Sequence, residues 1–353
     1  MEDSKMHKFR SRTIVSFILT LASLVILVVP PFSHAAIKQG EALLGVYVSA
    51  HETVMVRENR GILEILCNTE NKEEKMFETF TSFPLIHTGG NNYLLLCRTP
   101  LKNEQIKAVF TTDAQGKGSI LTIGNRKFKR KFFDVEMGTT FKIKPLMGED
   151  ELRKRALAAS PPAEQGQFIK PDLVEIIKLD PTIRLDIRYA TTNNFMGIRL
   201  YDQPRAFLQR EAAAALVRAS SKLSAYGFGL IVHDAYRPWY VTKMFYDATP
   251  DHQKDFVADP SQGSRHNRGG AVDVGLYDLK TGKILDMGSG YDEFSIRAYP
   301  YYPGGTSEQR ELREILRIVM EGEGFKVFHN EWWHFDYREW KKYPIINLRF
   351  DEI

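Results

Sequence analysis

Around Ser160-Pro161-Pro162-Ala163 the chain changes its pattern, and this change limits what it can fold into. Upstream, from Gly45 to about Lys144, apolar residues come in short β-rich runs: Val46-Tyr47-Val48, Val54-Met55-Val56, Ile62 to Leu66, Tyr93 to Cys97, Ala108 to Thr111 and Ile120 to Ile123. Glu58-Asn59-Arg60-Gly61 and Asp113-Ala114-Gln115-Gly116-Lys117-Gly118 supply turn residues between them. Closely spaced strands with Gly/Asn turns predict a small antiparallel barrel or sandwich over 36–150. Downstream the periodicity is mixed. Residues 208–225 read as a helix, with Ala212, Leu216, Ala219 and Leu223 on one stripe and Gly227 just past its end. A second helix runs from about Ser307 to Glu321, opened by a Thr306/Gln309 capping-box pair, with Leu312, Ile315, Leu316 and Val319 as its buried stripe. Leu230–His233, Ala271–Leu276 and Trp332–Tyr337 are predicted strands. Glu151 to Ala159 extends as a short helix that the prolines break, so 151–170 reads as a linker. At roughly 150 residues per domain, 353 residues make about two domains, the second over 171–353.

The N-terminus is read as an export signal. Lys5, Lys8, Arg10 and Arg12 precede an apolar run from Ile14 to Val29, which Pro30 and Pro31 end. Ser33-His34-Ala35-Ala36 then offers small residues for cleavage after Ala35, making 1–35 a secretory signal peptide. The other reading is an uncleaved N-terminal anchor, for which the apolar run is short. The expected location is the periplasm, with no membrane contact once the signal is cleaved. Export also bears on Cys67 and Cys97, both in the β-rich half. An oxidising compartment allows a disulfide, while their apolar strands suit buried free thiols equally well.

Charge excludes one class of partner. The formal net charge of +4 falls to +2 when the signal and its four basic and two acidic side chains are removed. That is no nucleic-acid footprint, which needs a strongly basic face. The run Arg126-Lys127-Phe128-Lys129-Arg130-Lys131 is either a contact for an anionic wall polymer or a solvated strand face. Two cysteines cannot build a Cys-rich zinc finger.

Chemistry concentrates in short segments of the second domain. Ser264-Arg265-His266-Asn267-Arg268-Gly269-Gly270-Ala271-Val272-Asp273 joins a histidine to a carboxylate through a Gly-Gly turn entering a strand, so both side chains can face one point. In Glu331-Trp332-Trp333-His334, a carboxylate and an imidazole three residues apart meet if the backbone bends. Two imidazoles and one carboxylate, with a fourth position for water, make a catalytic rather than a structural zinc site. That leaves Glu331 for general-base work. Asp234-Ala235-Tyr236-Arg237-Pro238 holds an arginine extended before a proline, able to aim a fixed charge at a developing oxyanion. Each segment also has a plain structural reading: a Trp-Trp pair packs in a core, an Arg-Pro step makes a turn, and nine histidines bring a His near an Asp by chance.

In the order DAYRP, SxHxRGxAxD, ExWH, the segments resemble the D-alanyl-D-alanine dipeptidase family of zinc peptidases, which includes the dipeptidases of vancomycin resistance. The likeness runs from about Asp172 to Phe350 and takes in Asp186-Ile187-Arg188-Tyr189-Ala190-Thr191, Asn194-Phe195-Met196-Gly197 and Met287-Gly288-Ser289-Gly290-Tyr291-Asp292. It implies an α+β fold with a central antiparallel sheet and flanking helices, here preceded by a small all-β domain. It implies one zinc ion per chain on His266, Asp273 and His334, Glu331 as general base, and Arg237 as stabiliser of the tetrahedral intermediate. Tyr189, Ser264 and Asp292 match positions that receive the substrate's amino end. The implied reaction is hydrolysis of the D-Ala-D-Ala dipeptide to two D-alanines, linked to cell-wall peptide turnover. The chain departs from the pattern at His233, at Gly270 and in its exported β domain. Two other readings remain: a D,D-carboxypeptidase or endopeptidase acting on peptidoglycan stem peptides, and a non-catalytic cell-wall-binding protein.

Overall fold

The computed structural model describes residues 40–68, 80–99, 102–133 and 142–353; the predicted export signal lies outside them. Among the described residues, no helix is long and apolar enough to cross a membrane.

Alternating apolar and polar side chains close the upstream half into an eight-stranded antiparallel barrel. Its strands are β1 (Gly45–Val48), β2 (Thr53–Asn59), β3 (Ile62–Asn68), β4 (Phe80–Gly89), β5 (Asn92–Thr99), β6 (Lys102–Thr112), β7 (Gly118–Ile123) and β8 (Arg126–Lys131). Tyr47, Val54, Val56, Ile65, Phe110, Leu121 and Phe128 fill it. Pairing of Val46, Tyr47 and Val48 with Lys131, Arg130 and Lys129 joins β1 to β8, so the barrel reading holds over the sandwich. In the basic run only Phe128 is buried, while Arg126, Lys127, Lys129 and Lys131 stand exposed along the strand. Gly118 admits the Tyr47 hydroxyl, which a Cβ there would meet at 2.4 Å. Cys67 and Cys97 are free thiols, and burial pushes the Cys67 pKa up to about 11.

The downstream half is mixed α and β. A five-stranded sheet runs β10 (Arg184–Leu185), β12 (Phe228–Asp234), β13 (Ala271–Asp278), β15 (Glu331–Tyr337), β14 (Phe325–Phe328). Its β12–β13, β13–β15 and β14–β15 pairs are antiparallel, but β10 joins β12 in parallel, so the sheet is not antiparallel throughout. Two short strands, β9 (Leu173–Glu175) and β11 (Phe207–Gln209), pair separately. The helix expected from residue 208 therefore starts at Arg210, because Leu208 is taken by β11; it runs to Ser224 and buries Ala212, Leu216, Ala219 and Leu223. The helix Ser307–Gly322 carries both bonds of the Thr306/Gln309 capping box.

The stretch 151–170 is packed against this half. The helix Glu149–Ala158 buries Leu152 and Ala156 in the same core as the sheet. The Ile169 amide donates to the Lys342 carbonyl at 2.8 Å.

Candidate active site

Strand register builds the site. Residues paired across neighbouring strands face the same side of a sheet. Asp234 on β12 pairs with Asp273 on β13, and Asp273 pairs with His334 on β15, so three chemically active side chains form one row. Two irregularities make this possible. The β12–β13 register shifts between Val232 and Asp234, which puts Asp234 beside Asp273 and moves His233 out of the row. Between β14 and β15, Val327 pairs with Phe335 but Phe328 pairs with Glu331. The three residues Trp332, Trp333 and His334 are the surplus, and this bend brings Glu331 and His334 together, with Oε2 to Nδ1 at 3.9 Å.

His266 arrives from the turn before β13. The turn residues His266–Arg268 end at Gly269, at φ 63°, where a Cβ would sit 2.5 Å from Leu173. Gly270 has its own reason: a Cβ there would meet the Trp340 Cβ at 2.5 Å. The Ser264 hydroxyl oxygen accepts the His266 amide at 3.3 Å. Asn267 ties the turn to the Arg237 segment by donating to the Arg237 carbonyl at 2.8 Å.

His266 Nε2, His334 Nδ1 and an Asp273 oxygen converge. Their separations are 3.1 Å between the imidazoles, 3.0 Å from His334 Nδ1 to Asp273 Oδ1 and 3.4 Å from His266 Nε2 to Asp273 Oδ1. Bonds of about 2.0–2.1 Å to a tetrahedral ion put ligand atoms about 3.3–3.4 Å apart, so the trio is close to a metal's dimensions as it stands. Both outer ring nitrogens are engaged: His266 Nδ1–H donates to the Ala235 carbonyl at 2.7 Å, and His334 Nε2–H to Asp336 at 2.9 Å. When neutral, rings held this way turn their inner nitrogens toward one point as acceptors for a cation.

These side chains line a cleft of about 470 Å³ together with Arg237, Tyr189, Ser264, Asp292 and Glu331. All eight residues expected from the sequence meet there. A sequence model of the D-ala-D-ala dipeptidase family matches residues 170–350, just over half of the chain. The D-alanyl-D-alanine dipeptidase of Escherichia coli (strain K12) is 36% identical over 179 residues, covering 51% of this chain and 91% of the relative. The dipeptidase of the same name from Enterococcus faecium is 34% identical over 190 residues, covering 48% and 91%, and that of Streptomyces coelicolor 30% over 186, covering 48% and 92%.

The chain belongs to the D-Ala-D-Ala dipeptidase family.

It is therefore a metallopeptidase, and the reading as a non-catalytic wall-binding protein falls. In this family member the buried groups of the cleft shift one another's protonation. Burial opposes charge on His334, yet hydrogen bonds to Asp273 and Asp336 lift its pKa to about 10. Burial likewise opposes charge on Asp273, but His266 and His334 hold it well below the ordinary carboxylate range. Glu331 is raised by burial, against the pull of His334. Asp292 is pushed well up, by burial first and by Asp273 second.

The dipeptidase cleft has partners that sequence reasoning missed. Asp234 holds Arg237 through Oδ2, at 2.7 Å from Nη2 and 3.0 Å from Nε, while Tyr201 donates to its other oxygen at 2.6 Å. Asp336, two residues beyond His334 and so on the same strand face, was open to a period-two reading. Tyr291 gives no such signal. Its hydroxyl donates to Asp273 at 2.9 Å and lies 3.3 Å from the Tyr189 hydroxyl, which donates to Asp292 at 3.0 Å. On the far side of His334, Arg265 Nε lies 3.1 Å from Asp336. A chain of contacts thus runs from Asp292 through Tyr189, Tyr291, Asp273, His334 and Asp336 to Arg265. His233 stacks on Tyr291 at 4.7 Å and bonds the Asp186 carbonyl at 3.4 Å, beside that chain of contacts.

Proposed function

We propose that this chain is an exported zinc dipeptidase that cleaves D-Ala-D-Ala into two D-alanines, with His266, Asp273 and His334 holding one zinc ion. In this reading residues 1–35 direct export to the periplasm, 36–150 form the appended β domain, 151–170 connect it and 171–353 carry catalysis. The observation that carries the reading is the convergence of two inner imidazole nitrogens and one carboxylate oxygen within 3.4 Å, with Glu331 beside them. When bound, zinc polarises the peptide carbonyl and lowers the pKa of a bound water from about 15.7 to about 7. Glu331, about a quarter exposed, takes the proton of the attacking water and delivers it to the leaving amine. Arg237, already held by Asp234, needs no reorganisation to meet negative charge on the carbonyl oxygen. Asp292 and Tyr189 receive the substrate ammonium, and Ser264 keeps its O–H to donate at the same cleft. Arg265 lines the same cleft and in this reading pairs with the substrate carboxylate.

A second reading has one observation in its favour. A cleft of about 470 Å³ is roomier than two alanines need, which suits a D,D-carboxypeptidase or endopeptidase working on peptidoglycan stem peptides. The two are separated by kcat/KM for D-Ala-D-Ala beside its N-acylated analogue. Acylation removes the ammonium and leaves Asp292 with a poor partner, so the free dipeptide should win by roughly 100-fold, and Asp292→Asn should shrink that ratio. Equal values on the wild type would promote the carboxypeptidase reading.

A further inference from the structure

The outer face of the barrel carries a row that ought to be wet. Val46 pairs with Met55, and Met55 with Leu66, so the three stand side by side across β1, β2 and β3. Their neighbours Tyr47, Val54, Val56 and Ile65 point into the barrel, which leaves this row facing out. Yet Val46 and Met55 are 0% exposed and Leu66 1%. What covers them comes largely from the peptidase half: Tyr302 is buried in one cluster with all three, and Ile296 and Tyr299 pack against it beside Val48 and Phe133. Fit is tight, since a Cβ on Gly304 would come 2.7 Å from the Met55 sulfur.

A polar latch lies beside this seam. The β2–β3 turn docks on the N-terminus of the helix Ser307–Gly322, where a carboxylate is favoured. Glu58 accepts the Ser307 amide at 2.7 Å, the Arg60 amide donates to the Ser307 hydroxyl at 2.8 Å, and Arg310 donates to the Glu58 carbonyl at 2.8 Å.

The covered segment is also a wall of the catalytic cleft. Ile296 and Tyr299 pack against the seam cluster on one side and line the cleft on the other. Between them Arg297 donates to the Gly288 carbonyl at 2.6 and 3.0 Å and pairs with Glu293 at 3.3 Å. Glu293 in turn accepts the Gly290 amide at 3.1 Å and the Ser295 hydroxyl at 2.6 Å. Asp292 sits inside this mesh at φ 57°, in the left-handed region that few non-glycine residues occupy.

We propose that the barrel braces one wall of the catalytic cleft from behind, and that its seam with Ile296, Tyr299 and Tyr302 positions the Asp292 loop and so sets affinity for the substrate's amino end. This rests on the dipeptidase reading for the ligand, but the brace itself is a property of the chain. It also gives the β domain a role in cis, in a stretch upstream of the family match at residues 170–350. Met55, Glu58 and their neighbours act as positioning residues; none of them lines the cleft.

The test uses the full mature chain carrying Met55→Ala, Met55→Leu or Glu58→Gln. Three quantities are read: kcat and KM on D-Ala-D-Ala, bound zinc, and amide hydrogen exchange over residues 288–299. Met55→Ala and Glu58→Gln should raise KM roughly tenfold with kcat within about twofold and zinc unchanged, because only ground-state binding is loosened. Exchange at 288–299 should quicken in both, and Met55→Leu should restore wild-type values. An unchanged KM in both variants overturns the proposal, as does a parallel loss of kcat and zinc, which would mark general unfolding. If Met55→Ala does not fold, Glu58→Gln decides alone. If the wild type leaves D-Ala-D-Ala intact, the dipeptidase reading falls by itself. Exchange still judges the brace, and unchanged protection at 288–299 in the seam variants overturns it.

Discussion

Inside the barrel Tyr47, Ile65, Phe110, Leu121 and Phe128 meet one another, and Phe110 stands edge-on to Tyr47 and Tyr93 at 5.9 and 5.5 Å. The peptidase half is built otherwise. Among the described residues, every buried carboxylate, guanidinium and imidazole lies there, with Asp234, Arg237, His266, Asp273 and His334 in mutual reach. Burying a charge costs several kcal/mol unless it is paired, so this interior is expensive and survives only because each group has a partner. A barrel core needs apolar volume alone. The two regions therefore answer to different substitutions: one should lose stability when its interior is altered, the other should lose chemistry first.

The largest effect that would break this contrast is expected at His266. His266→Ala should release the metal and abolish turnover, and elemental analysis of the purified variant reads it directly. Full zinc occupancy would remove His266 from the ligand set. Next in size is Glu331→Gln, nearly isosteric and unable to take a proton. It should keep the metal and lose about 100- to 10,000-fold in kcat, the usual worth of a general base. Near wild-type turnover would end that role.

In the barrel the same kind of experiment should read out as stability. Phe110→Ala leaves a cavity and should cost about 3–5 kcal/mol in denaturant unfolding, while kcat stays at the wild-type value. A fall in kcat with unfolding unchanged would reverse the contrast. The smallest effect concerns acid. Glu175 is held by Arg205, with two contacts of 2.8 Å, and this hydrogen bonding lowers its pKa from 4.5 to about 2. A depressed pKa contributes stability that is complete above about pH 4.5 and disappears as pH falls toward 2. Glu175→Gln should flatten the unfolding midpoint across that window. A midpoint that still falls as steeply would show that other carboxylates carry the acid sensitivity.

Much of this molecule could be read locally. Helical stripes such as Ala212, Leu216, Ala219 and Leu223 depend on neighbours three and four residues away, so they are visible in one window. The Thr306/Gln309 capping box and the Asp113–Gly118 turn are local for the same reason. Six of the eight site residues were also legible in the residue types and order of three short segments, and Tyr189 and Asp292 only through the likeness to a family. Local reading failed where a competing strand claimed a residue, as β11 did with Leu208, ahead of the helix expected to begin there.

Tertiary structure alone decided the rest, because register is set by pairing between distant strands and a shift of one residue turns a side chain to the other face. The shift after Val232 chose Asp234 over His233 for the row with Asp273. The three surplus residues at Trp332–His334 turned a strand's Glu331 and His334 toward one point. Closure of β1 on β8 chose barrel over sandwich, and Tyr291 and Arg265 entered the site through contacts across 18 and 71 residues of chain. The covered row of Val46, Met55 and Leu66 belongs with these. In the sequence it reads as ordinary strand alternation, and only the packed chain shows that the face expected to meet water meets the wall of the catalytic cleft.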